Sequence, residues 1–159
     1  MTTTGRISGS IQIDLDNNTV QVKDGLNYKY LTASQVISIT IMDKGNKKVY
    51  QTLPFGQNQE KYFFEILSFG HFNLLYREGL RANAFETEEL PPYFIALEEA
   101  IYPLEGKKQI LGLMEPYDPA IKSFLKDNGI DLNEENSLIY LFEHINQFAF
   151  SQQANMAAR

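Results

Sequence analysis

Carboxylates are the residues of this chain best placed to do chemistry. Glu86, Glu88 and Glu89 crowd one polar segment, and Glu98 with Glu99 another. Glu65 stands alone inside the apolar run Tyr62-Phe63-Phe64-Glu65-Ile66-Leu67. Two carboxyls at the right separation suffice for glycoside cleavage, one as acid and one as base or nucleophile, and no sequence motif marks such a pair. Acidic loops are more often simply solvated. Glu65 reads as a strand residue satisfied by a cross-strand bond to Tyr76, and one buried carboxylate is not an active site.

Other chemistries are excluded more firmly. Asp14, Asp16 and Asn18 match the first, third and fifth positions of a calcium loop. The match breaks at Thr19, where a Gly is required, and at Gly25, where a bidentate Glu is required. A polar turn accounts for the same residues. The chain has no Cys, so thiolate catalysis and Cys-ligated zinc or iron-sulfur sites are absent. Of the two His, His71 falls in a tight turn and His144 on the polar side of a helix, read as solvated. No nucleophile elbow, dinucleotide fingerprint, Walker loop or zinc-protease motif occurs. The expectation is therefore no catalytic residue, no metal and no cofactor.

What remains is binding. Between Gly79 and Pro92 lies a long connection with no clear element, holding one aromatic residue, Phe85, beside Glu86, Glu88 and Glu89. Pro91-Pro92 stiffens its exit into an apolar run that opens at Tyr93. Phe85 reads either as a lid packed on its own sheet or as an anchor for a partner, with the acids selecting a basic one. The candidate partner-binding residues are thus Phe85, Glu86, Glu88, Glu89 and Tyr93. Twenty acidic against 14 basic residues give a formal charge of −6. Nucleic-acid backbones need a concentrated positive surface, which argues against DNA or RNA. No apolar run reaches the ~18 residues that span a bilayer.

These residues must be held by a folded frame, and 43% hydrophobic with 21% charged residues is an ordinary globular composition. From residue 7 to 104 the pattern alternates with period two. Short apolar runs are separated by Asp16-Asn17-Asn18, Asp24-Gly25 and Asp43-Lys44-Gly45-Asn46. Thr32-Ala33-Ser34-Gln35 has the spacing of a capping box on a single helical turn. A hairpin spans Tyr62 to Tyr76, with Gly70-His71 read as a type II′ turn and Phe69 facing Phe72. Both its faces carry large apolar side chains, so something packs on each. The pattern predicts eight or nine strands.

After Gly106 the period changes to 3.6. A short helix is expected over residues 107–114, a second capped by Asp118 with Pro119 and closed by Asn128-Gly129, and a third over about 134–150. The last carries the seam Leu138, Leu141, Phe142, Ile145, Phe148 and Ala149, which must dock on the sheet. The expected fold is α+β: an antiparallel β-meander curled around an aromatic core, followed by a C-terminal group of about three helices. One domain is expected over residues 7–150, β-rich to 104 and helical from 107, with 151–159 a frayed tail.

The segments Gly9-Ser10-Ile11, Tyr30-Leu31-Thr32-Ala33-Ser34-Gln35-Val36-Ile37-Ser38-Ile39, Tyr62-Phe63-Phe64-Glu65-Ile66-Leu67-Ser68-Phe69-Gly70 and Leu74-Leu75-Tyr76-Arg77 resemble uncharacterised secreted proteins abundant in Bacteroidota. The resemblance covers about residues 9–104. It carries over no catalytic residue and implies export to the cell envelope through a signal peptide. The opening Met1-Thr2-Thr3-Thr4-Gly5-Arg6 has no apolar signal core. The expected location is periplasmic or secreted if a signal peptide has been removed, and cytoplasmic otherwise. The expected function is a non-enzymatic envelope protein that binds another protein or a surface ligand. The alternatives are a carbohydrate-active enzyme using the loop carboxylates and a structural domain of a larger assembly.

Overall fold

The structure, a computed structural model, describes residues 5–83, 85–115 and 118–157, with 118 and 151–157 described by backbone alone. Among the described residues nine strands precede three helices: β1 Ser10–Asp14, β2 Thr19–Asp24, β3 Asn27–Thr32, β4 Ser38–Asp43, β5 Asn46–Phe55, β6 Glu60–Ser68, β7 Phe72–Tyr76, β8 Tyr93–Leu97 and β9 Ala100–Pro103. The helices are α1 Lys107–Leu113, α2 Asp118–Asp127 and α3 Glu135–Ala157. The fold is α+β. Its meander divides into an antiparallel sheet ordered β1-β2-β3 and a six-stranded sheet ordered β4 through β9.

The break between the sheets is the 3-10 turn Ala33–Gln35, where the Thr32 N–H donates to Gln35 Oε1 at 3.0 Å. Beyond it, Lys44 and Gly45 both adopt positive φ, 47° and 89°. That is the type I′ geometry whose twist suits a two-residue hairpin, and it joins β4 to β5 through Asp43 opposite Asn46.

Two compact units emerge from the contacts, one of residues through Ile66 with Arg77–Leu90, the other of Leu67–Tyr76 with Pro91 onward. The first has a core of Val20, Val22, Ala33, Ile39 and Phe63, with Ile11, Ile13, Leu31 and Val36 packed against it. Phe63 and Phe64 are adjacent and both wholly buried, so β6 is covered on both faces, as its apolar pattern requires. In the second unit, Phe72, Leu74 and Ile95 form one core with the helices. The α3 seam supplies Leu138, Leu141, Phe142, Ile145 and Ala149, each at most 1% exposed.

The helix ends follow ordinary capping chemistry. Gly129, at φ 59°, and the Asn128 N–H donating to the Phe124 carbonyl close α2. The Asp118 cap lies outside the described side chains. Glu134 precedes α3 and accepts from the N–H groups of Asn136 and Ser137, bonds that hold its carboxyl below the usual range, those from Ser137 foremost. The α3 backbone continues to Ala157 rather than ending at Phe150. Ser151-Gln152-Gln153-Ala154 contains no Gly or Pro, so nothing in it breaks the helix.

The connection at Gly70 differs from a type II′ turn. β6 ends at Ser68 and β7 begins at Phe72, leaving Phe69, Gly70 and His71 between them, and Phe69 is 80% exposed. Gly70 does not occupy positive φ. Its requirement is space: a Cβ there would lie 2.3 Å from Cγ of Asn146. That amide accepts from the Phe72 N–H and donates to the Phe72 carbonyl, both at 2.9 Å. A side chain of α3 thereby imitates a neighbouring strand.

The seam and the amide give distinct costs. Phe142→Ala empties a fully buried site and is expected to destabilise by about 3–5 kcal/mol. Asn146→Ala removes both side-chain bonds to the Phe72 backbone, for about 1–3 kcal/mol. Urea unfolding of both variants measures these losses, and a variant that unfolds like the parent refutes its part of the docking.

Candidate interaction site

Arg77 follows β7 directly and leads into the long connection. It is 4% exposed. Its guanidinium donates to the Phe63 carbonyl at 3.1 Å and the Leu15 carbonyl at 2.6 Å, and lies 5.6 Å from the centre of the Tyr62 ring. Burial lowers its pKa from the ordinary value, an effect opposed by the nearby Tyr62 and Asp16. Its Nε is buried without a hydrogen-bond partner.

The Leu15 carbonyl is presented by the turn that sequence matching compared with a calcium loop. There Asp14 accepts from the Asn17 N–H and side-chain amide at 3.0 and 2.8 Å. Asn18 sits at φ 52° and brackets β6, donating to the Lys61 carbonyl at 2.5 Å and accepting from the Phe63 N–H at 3.3 Å. Asn tolerates this left-handed conformation better than most residues. Among the described residues no group of three His, Asp or Glu could hold a metal ion.

The connection itself is closed at its base. Leu80 is 4% exposed, and its carbonyl accepts from the Leu90 N–H at 2.7 Å. Loops whose ends meet in this way are compact rather than trailing. At the tip Asn83 Oδ1 accepts from the Phe85 N–H at 2.9 Å, while its amide donates to Glu86 Oε1 at 2.7 Å. Phe85, bonded to Asn83 in this way, is 96% exposed. Glu86, Glu88 and Glu89 are exposed as well. Phe85 is therefore no lid on its own sheet. It is an apolar ring in water beside three carboxylates.

Tyr93 is placed differently. It opens β8, is half-buried, packs on the helical core and sets its ring 5.4 Å from that of Tyr76. The Tyr76 ring thus engages Tyr93, while Glu65 is reached from β5. Tyr50, opposite Glu65 on β5, donates to Glu65 at 3.2 Å, and Lys48 approaches its two oxygens at 3.0 and 3.1 Å. Burial, and then the Glu65 charge, raise the pKa of Tyr50. His144 is half-buried rather than solvated, stacked on Phe124 at 3.8 Å with the rings 11° apart. Its Phe124 partner lies on α2, which helical periodicity within α3 does not reveal.

Sequence reasoning missed Arg77 and Asn18 as fastening residues. The available signals were an Arg directly after an apolar strand and an Asn in a turn, both too common to single out. Comparison of the chain with protein-family models, with curated proteins and with solved structures finds no match.

Arg77→Lys tests the fastening. One ammonium does not reproduce the fork that serves two carbonyls, so a loss of about 1.5–3 kcal/mol is expected. Chemical denaturation measures it, and unchanged stability would show the fork to be dispensable.

Proposed function

We propose that this chain is a non-enzymatic interaction protein of the cell envelope, which captures a basic protein partner through the loop at Phe85. The observation that carries the reading is an aromatic ring 96% exposed on a turn that Asn83 holds in place. A fully hydrated Phe stabilises nothing in its own fold. Interface energy concentrates in such residues, and the bonds from Asn83 to Phe85 and Glu86 reduce what remains to be ordered on binding. Glu86, Glu88 and Glu89 surround it with negative charge, which steers a basic partner and accelerates encounter. The envelope location rests on the family resemblance. The clefts beside β4 and beside Gly70 are not lined by Glu65, Glu86, Glu88 or Glu89, and Glu65 is engaged by Lys48 and Tyr50. A carboxylate pair working on a glycoside is therefore the weaker reading.

Capture of basic proteins from an envelope lysate by the immobilised chain separates anchor from steering. Phe85→Ala is expected to keep stability within about 1 kcal/mol, well below a core truncation, yet to lose capture. Replacing Glu86, Glu88 and Glu89 together by Gln should slow association and remove its salt dependence. Capture unchanged by Phe85→Ala, or a chain unfolded by it, would overturn the reading.

A further inference from the structure

The first unit also carries an open strand edge beside a cleft. β4 ends the six-stranded sheet and, among the described residues, has β5 as its one neighbour. Its hairpin closes on Asp43 opposite Asn46, and the Thr52 N–H donates to the Ile37 carbonyl at 3.0 Å. In an antiparallel ladder, alternate residues turn their main-chain groups to the partner strand. Residues 37, 39, 41 and 43 therefore bond to β5. The N–H and C=O groups of Ser38, Thr40 and Met42 face the open side.

Sheet edges are normally blunted by charge, Pro or shortness. β9 has four residues and ends in Pro103, and β3 carries Lys29. From Gln35 to Met42 there is neither a charge nor a Pro. Alongside lies a cleft of about 530 Å³ bounded by residues 5–9 and Ile11, by Val20, Val22 and Leu31, and by residues 35–40. Among the described residues Arg6 is the one charged residue lining it, and Ile37, also in the lining, is 69% exposed.

We propose that β4 accepts an extended peptide strand, uncharged over its central stretch, whose alternate aliphatic side chains enter this cleft. A strand added to β4 directs every second side chain to the face of Ile37, Ile39 and Ile41, which is the face the cleft borders. Main-chain bonds to Ser38, Thr40 and Met42 supply affinity, and the apolar lining selects the inward side chains. The absence of charge from Gln35 to Met42 matches an uncharged occupant.

The probe is the peptide acetyl-Thr-Val-Thr-Val-Thr-Val-Thr-Lys-Lys-amide, titrated calorimetrically into the whole chain. Binding is expected, and methylation of alternate backbone nitrogens should abolish it on one set of positions only. Thr40→Pro removes an edge donor without touching the β5 ladder, and is expected to weaken binding about tenfold or more. Ile37→Lys, on an exposed position, should do the same and keeps the test alive if the Pro variant fails to fold. No binding at millimolar peptide, or equal binding to the parent and both variants, overturns the proposal. So does a dimer of the parent that Thr40→Pro dissociates, which would make a second copy the occupant.

Discussion

A buried cation bonded to main-chain carbonyls is the constraint on which the first unit depends. Arg77 reaches the turn after β1 through the Leu15 carbonyl and β6 through the Phe63 carbonyl, with the Tyr62 ring beside it. Removing a guanidinium from water is costly, and that cost is offset only where every element stands in place. The arrangement is therefore cooperative: the turn, the strand and the start of the connection are correct together or not at all. Gly79 and Leu80 follow at once, and Leu80 is buried. The loop bearing Phe85 inherits its position from the same fastening.

The second unit uses the same device with a neutral group. Asn146 offers one donor and one acceptor to Phe72 and so completes the hydrogen bonding of β7 from a helix. Apolar packing of the α3 seam gives the larger free energy, but packing alone tolerates rotation and sliding. A satisfied buried amide specifies one register. Gly70 is the consequence on the partner side, since any larger residue there would displace the amide. In both units the apolar core provides stability, while one polar side chain bonded to backbone fixes the arrangement.

Most of the secondary structure was legible in the sequence because it depends on local rules. Alternation marked the strands, Lys44-Gly45 marked a hairpin, and the spacing from Leu138 to Ala149 marked a buried face of α3. The failures have a common origin in partners distant along the chain. Gly70 read as a turn glycine, although it answers to Asn146. His144 read as solvated because Phe124 belongs to another helix. Of the candidate site, the Phe85 loop was visible as an aromatic among acids, but its outward direction depends on Asn83 and the Leu80 to Leu90 closure. Tyr93 showed only its apolar strand, and its packing on Tyr76 and the helical core follows from strand order.

The account turns on Phe85 being held in water by a fixed loop. The chain contains no Trp, so Phe85→Trp introduces a single fluorophore at that point. The expected emission is that of an indole in water, fully accessible to acrylamide, with anisotropy showing a side chain on an ordered backbone. A blue-shifted emission protected from the quencher would mean that the ring packs on its own fold, and would contradict the account.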